Sequence, residues 1–141
     1  MLAAALDRLA AEGLGVVAAA PVIATDPIGP SIRRYANSAA VVESALEPPA
    51  LLALLKRIER EFGRRPGGQR WRARVLDLDV VLWSGGAFAS ADLTIPHPLF
   101  RERAFVLIPA ARIAPGWRDP LTGLTLRQLR TRLTRPRPLP R

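Results

Sequence analysis

The sequence predicts an α+β domain in which several helices pack against a layer of strands. Segments with apolar residues at helical spacing lie among shorter runs typical of strands, and most of these strands are expected to pair without a long crossover. A chain of 141 residues with 49% hydrophobic residues is long enough to form one compact core. We expect the domain to occupy residues 1–126, followed in residues 127–141 by the end of the last helix and a basic tail rich in Pro and Arg.

The first half of the chain contains two predicted helices and two predicted strands. An amphipathic helix opens the chain and ends near Gly13, because leucines recur at helical spacing before it. Strands are predicted over residues 15–25 and 35–44, joined by a loop that begins "DPIGPS". The clearest helix is predicted over residues 47–64, where two prolines fall in a first turn that has no donors to lose.

The second half contains one predicted strand and two predicted helices. The basic, Gly-rich segment "RRPGGQRWRA" reads as a loop, and it leads into a predicted strand over residues 74–83. A turn and a loop are predicted over residues 84–98, and a helix over residues 99–114. The turn "DPLTG" then precedes a short last helix. Arg101 and Arg112 are interpreted as surface charges.

The composition excludes several classes of protein. The chain has no Cys, which excludes a disulfide scaffold or a thiolate metal site and is consistent with a cytoplasmic protein. Charged residues such as Asp7 and Arg8 interrupt the apolar N-terminus, so we expect neither a signal peptide nor a membrane span. The net charge is +9, but six arginines lie in residues 127–141, which leaves +3 for residues 1–126.

Two aspartates interrupt the apolar run "RVLDLDVVLW". On a strand, Asp77 and Asp79 would share one face, about 7 Å apart, and would repel each other by about 2 kcal/mol at an effective dielectric constant near 20. Nearby arginines or a divalent cation would offset this repulsion, and carboxylate oxygens without His or Cys neighbours suit Mg²⁺ better than zinc. From the two aspartates alone, a solvent-exposed face with no functional role is as good an interpretation as a binding site. Several arginines lie just upstream of the two aspartates. Together, these cations and carboxylates favour a site that binds phosphates and Mg²⁺.

These segments resemble the bacterial hydroxymethyldihydropterin pyrophosphokinase family. The resemblance is carried by "RWRARVLDLDVVLW" and "LTIPHPLFRERAFVLIPAARIAP", with "TDPIGP" and "YAN" upstream, and it covers nearly the whole chain. It implies a ferredoxin-like layered fold, with a mostly antiparallel sheet and helices packed on its faces. It also implies transfer of a pyrophosphoryl group from ATP to 6-hydroxymethyl-7,8-dihydropterin in folate biosynthesis.

The resemblance assigns roles to particular residues of this sequence. Asp77 and Asp79 match aspartates that bind two Mg²⁺ ions bridging the ATP phosphates, and Arg64 and Arg74 match arginines placed on those phosphates during transfer. The residues implied to contact ATP are Glu59, Arg70, Thr94, His97 and Arg103. The residues implied to contact the pterin are Thr25, Pro27, Ile28, Tyr35, Asn37, Trp71 and Phe105. The chemistry is consistent, because a flat heterocycle is bound by aromatic faces and a few hydrogen-bonding groups at its edge.

The sequence departs from the family pattern in several places. The family usually begins with a strand carrying a pattern like "ALGSN", whereas Met1 stands where the first helix starts. This difference predicts either a start codon assigned too far downstream, which we favour, or a truncated chain. Arg72 replaces a usual glycine, and Pro66 stands where some members have an arginine, so we expect loop closure to differ.

Two other function classes stay open at this stage. A catalytically inactive, truncated relative would share the fold and act as a binding protein. A basic nucleic-acid-binding module would depend on the arginine tail and would bind with steep salt dependence. The enzyme interpretation predicts ATP and a small pterin as partners, and with it we expect a monomer with no membrane or nucleic-acid partner.

Overall fold

The computed structural model describes residues 1–25, 35–63 and 76–135. In these residues we label four α-helices, one 3-10 helix and six short strands. The helices are α1 (Leu2–Ala11), α2 (Pro48–Phe62), η1 (the 3-10 helix, Phe100–Glu102), α3 (Ala104–Ile113) and α4 (Leu126–Thr134). The strands are β1 (Gly15–Ala19), β2 (Ile23–Thr25), β3 (Tyr35–Asn37), β4 (Ala40–Glu43), β5 (Phe88–Ala89) and β6 (Thr94–Ile95). The predicted loops "DPIGPS" and "RRPGGQRWRA" lie outside the described residues.

The described strands form three two-stranded sheets, which confirms the α+β class. Strand β1 pairs with β4, β2 pairs antiparallel with β3, and β5 pairs antiparallel with β6. Each of the two long strands predicted in the first half is therefore divided into two. Pro21 lies at the first division, where it has no N–H to contribute to a ladder. The adjacent corner is closed by Ser38, whose hydroxyl donates to the Ala20 carbonyl at 2.8 Å.

The strand predicted over residues 74–83 is wrong for residues 76–83, the part of it that the structure describes. These residues belong to no sheet. The backbone N–H of Leu78 donates instead to the carboxylate of Glu59 at 2.6 Å, and the Val81 carbonyl accepts from the His97 N–H at 3.1 Å. The predicted alternation of burial nevertheless holds over residues 76–80. Periodicity reports which side chains are buried, whereas a strand also needs a neighbouring backbone partner.

The segment predicted as a turn and a loop, residues 84–98, contains a short hairpin. The hairpin closes where the Ser90 N–H donates to the Leu93 carbonyl at 2.8 Å. A turn precedes it, in which the Gly86 N–H donates to the Trp83 carbonyl at 3.0 Å and Gly86 has a φ of +98° that favours glycine. The hairpin pairs Phe88 with Ile95, and Ile95 is buried. Two-residue strands leave almost no period-2 pattern in the sequence, so the prediction did not separate them from a loop.

The chain divides into two compact units, the first comprising Met1–Val17 and Val42–His97. Its core lies between α1 and α2 and also includes Leu76. Helical spacing predicts an apolar stripe on α2 formed by Leu51, Leu55, Ile58 and Phe62. The stripe is confirmed, because Leu55 and Ile58 are buried and Leu51 and Phe62 are partly buried. At the surface of the two helices, Arg8 contacts Glu61 through two hydrogen bonds of 2.9 and 3.1 Å.

The second unit comprises Ala18–Val41 and Pro98–Arg141. In its described part, α3 packs against α4 and η1, and the core includes the fully buried Phe100 and Leu107. The helix predicted over residues 99–114 is divided at Arg103, whose extended backbone separates η1 from α3. The predicted turn over residues 119–123 is present, and α4 follows it with a capping box in which Thr125 accepts from the Gln128 N–H at 3.1 Å. The proposed boundary after residue 126 stays a prediction.

Candidate active site

The acidic stretch, residues 76–80, carries the two aspartates that the sequence analysis singled out. Leu76 is buried in the core of the first unit, while Asp77 and Asp79 are exposed. The stretch is attached to α2 through Glu59, whose Oε2 accepts from the Leu78 N–H, and this carboxylate follows the fully buried Ile58. Helix packing therefore fixes Glu59, and Glu59 fixes the backbone between the two aspartates.

Negative charge exceeds positive charge at the acidic stretch among the residues that the structure describes. The pKa of Asp77 is raised, first by partial burial and then by the negative charges of Glu59 and Asp79. Lys56 opposes this effect, and its Nζ lies 3.3 Å from Glu59 Oε1. Among the described residues, one lysine lies beside three carboxylates, and this balance of charge favours the binding of a cation.

His97 is the sole histidine and lies beside the acidic stretch. Its Nε2 is 4.0 Å from Asp79 Oδ2, which makes an ion pair when the imidazole is protonated. The backbone N–H of His97 is held by the Val81 carbonyl, and the preceding strand β6 carries Thr94 on the same hairpin. The first unit thus brings His97 to Asp79, and it places Glu59 and Asp77 in the same neighbourhood.

The donor set of the acidic stretch fits magnesium bound together with phosphates. Among the described residues, no group of three or more His, Cys, Asp or Glu side chains is arranged to hold a metal ion unaided. Mg²⁺ is commonly bound by one or two carboxylates together with substrate phosphates and water. Asp77 and Asp79 offer two exposed carboxylates, which suits this mode better than a cage made only of protein groups.

The second unit contains the described residues of the predicted pterin site. Tyr35 and Asn37 lie two residues apart on β3, so their side chains share one face, and Tyr35 is exposed. Phe105 lies in the first turn of α3, and α3 packs against both β2 and β3. The Arg103 guanidinium carbon lies 5.6 Å from the centre of the Phe105 ring, within the range of a cation–π contact.

One of the remaining predicted site residues, Thr25, lies in a described strand. Thr25 pairs with Tyr35 in the β2–β3 ladder, which fixes its backbone position. The following predicted residues lie outside the described residues: Pro27, Ile28, Arg64, Arg70, Trp71 and Arg74.

Sequence reasoning missed two features of these units. Glu59 was expected only at the ATP, but it also binds the backbone of the acidic stretch. Arg101 was interpreted as a surface charge, and this is wrong, because it forms two hydrogen bonds of 2.5 and 2.7 Å with the buried Asp119. An Asp at the start of a Pro-containing turn is a common signal for side-chain hydrogen bonding, and it was the one available clue to this pair.

Comparison with known proteins identifies the family. The family model for 7,8-dihydro-6-hydroxymethylpterin-pyrophosphokinase, or HPPK, matches residues 1–115. The chain therefore belongs to the HPPK family, which confirms the resemblance carried by its motifs. HPPK proteins are pyrophosphokinases by name.

Three relatives carry the name 2-amino-4-hydroxy-6-hydroxymethyldihydropteridine pyrophosphokinase. The protein from Synechocystis sp. is 44% identical over 101 residues, which are 72% of this chain and 51% of the relative. The Methylorubrum extorquens protein is 40% identical over 117 residues, 82% of this chain and 73% of the relative. The Pseudomonas aeruginosa protein is 39% identical over 117 residues, 82% of this chain and 70% of the relative. The match thus spans between half and three quarters of the length of these relatives.

No helix in the described part of the chain is both long and apolar enough to cross a membrane.

Proposed function

We propose that this chain is an ATP-dependent diphosphotransferase that transfers a pyrophosphoryl group from ATP to 6-hydroxymethyl-7,8-dihydropterin in folate biosynthesis. The observation that carries the proposal is the acidic stretch, two exposed aspartates with an excess of negative charge, within a chain that belongs to the HPPK family. The names of the relatives specify the same pterin and the same group transferred.

Asp77 and Asp79 are the residues that would hold magnesium, which we propose to be two ions bound together with ATP. Bound there, magnesium would offset the phosphate charge that two aspartates alone repel. Arg64 and Arg74 are proposed to contact the phosphates as charge-assisted donors during transfer. The further residues proposed to bind ATP are Glu59, Arg70, Thr94, His97 and Arg103.

The pterin is proposed to bind through aromatic faces and an amide edge. Phe105 and Trp71 supply ring faces, and Asn37 supplies both donors and an acceptor for the edge of the heterocycle. The other residues proposed to contact the pterin are Tyr35, Thr25, Pro27 and Ile28. The substrate hydroxyl oxygen then forms a bond to the β-phosphorus of ATP, and the bond from that phosphorus to the oxygen shared with the α-phosphate breaks. AMP leaves with that oxygen, and the hydroxyl proton is released to water. Alignment and charge neutralisation supply most of the catalysis in such a transfer.

The finer architecture belongs to the same proposal. A ferredoxin-like layering, with helices on the faces of a mostly antiparallel sheet, is consistent with the short antiparallel pairs and four helices of the described residues. We propose that the protein acts as a monomer in the cytoplasm.

A thermal-shift experiment tests the nucleotide site. Mg²⁺ with a non-hydrolysable ATP analogue at about 100 times its Kd should stabilise the protein by about 2.7 kcal/mol, which raises Tm by roughly 5–10 °C. Asp79→Ala should abolish this shift, because it removes one of the two carboxylates. Asp92→Ala, which removes an exposed carboxylate from the β5–β6 hairpin, is the matched control and should retain it.

An assay of AMP formation then separates the function classes. The proposed enzyme forms AMP only when both ATP and the pterin are present. A thermal shift without AMP formation would indicate an inactive relative that binds nucleotide. The absence of any shift with both aspartates intact would contradict the proposed site.

A further inference from the structure

Asp119 is the one charged residue that is fully buried in the part of the chain that the structure describes. Its carboxylate accepts four hydrogen bonds. Arg101 donates two of them, from Nε at 2.5 Å and from Nη2 at 2.7 Å. The Leu121 N–H donates at 3.0 Å and the Thr122 hydroxyl at 2.8 Å. Asp119 is thus satisfied by its own turn and by a guanidinium 18 residues away in the sequence.

The ion pair between Arg101 and Asp119, called the clip below, ties η1 to the turn over residues 119–123. Arg101 lies in the middle of η1, and its guanidinium carbon also lies 4.7 Å from the centre of the buried Phe100 ring. A three-residue 3-10 helix has little stability of its own. The clip and the burial of Phe100 therefore determine where η1 lies within the second unit.

Arg103 and Phe105 are the proposed site residues that come directly after η1 in the sequence. The Arg103 N–H donates to the Phe100 carbonyl at 3.4 Å, and the Arg103 carbonyl accepts from Val106 and Leu107 at 3.0 and 2.9 Å. Arg103 is thus the last residue before α3 and is bonded to η1 on one side and to α3 on the other. A shift of η1 would move Arg103 directly, and Phe105 with it through the first turn of α3.

We propose that the clip is a positioning device for the substrate site, in which Arg101 acts through η1 to place Arg103 for ATP and Phe105 for the pterin. This inference rests on the proposed function of those two residues. A buried ion pair adds little net stability compared with apolar side chains of the same volume, but its bidentate geometry fixes the relative position of two segments. A short 3-10 helix needs such a contact to hold it in a defined position.

Arg101→Lys tests the proposal, because lysine keeps the charge but loses the bidentate fork. The matched control is Arg8→Lys, which removes a bidentate pair with Glu61 in the first unit. Each variant is assayed well below its own Tm for kcat and for the KM of both substrates. For Arg101→Lys we expect the KM values to rise about tenfold, since small displacements of binding groups have effects of this order or larger. For Arg8→Lys we expect changes within about twofold.

A second measurement keeps the two proposals distinguishable. Native-state hydrogen exchange at Val106 and Leu107, which donate to the Arg103 carbonyl, should accelerate about tenfold in Arg101→Lys and stay unchanged in Arg8→Lys. Faster exchange in a chain whose wild type forms no AMP would support the placement of Arg103 by the clip and reject the enzyme. Unchanged exchange would overturn the clip as a positioning device, and so would unchanged KM values in an active enzyme.

Discussion

Asp77 and Asp119 are two carboxylates that the fold treats in opposite ways. Asp119 is fully buried, and the Arg101 hydrogen bonds lower its pKa to about 2, with help from Leu121 and Thr122. Asp77 is exposed, yet its pKa is raised by partial burial and by neighbouring carboxylates. Burial alone would have suggested the reverse order, because desolvation raises the pKa of an acid. At Asp119 the hydrogen bonds from Arg101 outweigh the effect of burial on the pKa, whereas at Asp77 partial burial and the neighbouring carboxylates both raise the pKa.

The difference separates an acid whose charge is satisfied within the described residues from one that is proposed to act in the active site. Every hydrogen-bonding need of Asp119 that the structure describes is met within the chain, so its charge stabilises the fold. The charge of Asp77 is opposed by Glu59 and Asp79 and is offset only in part by Lys56. In the proposed function, a magnesium nucleotide would supply positive charge beside these carboxylates.

The largest effect is expected for Asp77→Asn. Pyrophosphoryl transfer should fall by about 10²–10³-fold, because one of two carboxylates proposed to hold magnesium is lost. The Tm of the magnesium-free protein should stay the same or rise, since the amide removes a charge that Glu59 and Asp79 repel. AMP formation and thermal unfolding without metal measure the two halves of this prediction. Asp92→Asn is the control, and a lower Tm for Asp77→Asn would mean that Asp77 is structural.

The opposite result is expected for Asp119→Ala. Removing this carboxylate leaves the Arg101 charge and two other donors without their acceptor, which should lower the free energy of unfolding by about 3 kcal/mol. Tm should fall by roughly 10 °C. Urea unfolding measures the change, with Asp92→Ala as the exposed control. A loss below about 1 kcal/mol would show that the clip adds little to the fold.

The acid limb of stability should show the two groups acting with opposite sign. The folded-state pKa of Asp119 lies near 2, below its ordinary value of 3.8, so its stabilisation is full above pH 4 and is lost as pH falls toward 2. At about 1.4 kcal/mol for each pKa unit, it amounts to about 2 kcal/mol. Asp77, with a raised pKa, holds its proton more tightly when folded, so its contribution becomes more favourable as pH falls from its raised value toward 3.8.

Urea unfolding between pH 2 and 6 measures both contributions. Asp119→Asn should be less stable at pH 6 and should lack most of the wild-type drop between pH 4 and pH 2. Asp77→Asn should keep the loss of stability between pH 4 and pH 2. It should lack only the small increase in stability that the wild type shows as pH falls from the raised pKa of Asp77 toward 3.8. The same pH profile for Asp119→Asn as for the wild type would mean that another group causes the acid sensitivity.

The sequence predicted side-chain burial better than backbone pairing. The stripe on α2 and the exposure of Asp77 and Asp79 follow from periodicity, which is a local property of the chain. The absence of a strand over residues 76–83 was not predictable in this way, because pairing depends on which backbone lies alongside. Leu78 instead finds its acceptor in Glu59, 19 residues earlier.

The same distinction between local patterns and tertiary contacts applies to the candidate site. Residue types and motifs indicated Asp77, Asp79 and His97, and the structure brings His97 to Asp79. The clip was missed because it joins residues 18 apart whose contact depends on how η1 meets the turn over residues 119–123. Local patterns carry no information about a tertiary ion pair of this kind, since either residue alone is typical of a solvated surface.

The smallest effect is expected at Glu59. This residue lies near Asp77, but like Asp119 its carboxylate accepts a hydrogen bond from a backbone N–H. Glu59→Ala removes the acceptor of the Leu78 N–H and should lower the free energy of unfolding by about 1 kcal/mol, whereas Glu59→Gln retains an acceptor and should cost less. Both changes remove a negative charge near Asp77 and should lower the pKa of Asp77. Urea unfolding and an NMR titration of the Asp77 carboxylate measure the two effects. If Glu59→Gln and Glu59→Ala destabilise the protein equally, the charge of Glu59 rather than its hydrogen bond to Leu78 holds the acidic stretch. Glu59 would then not act on the backbone in the way that Asp119 does.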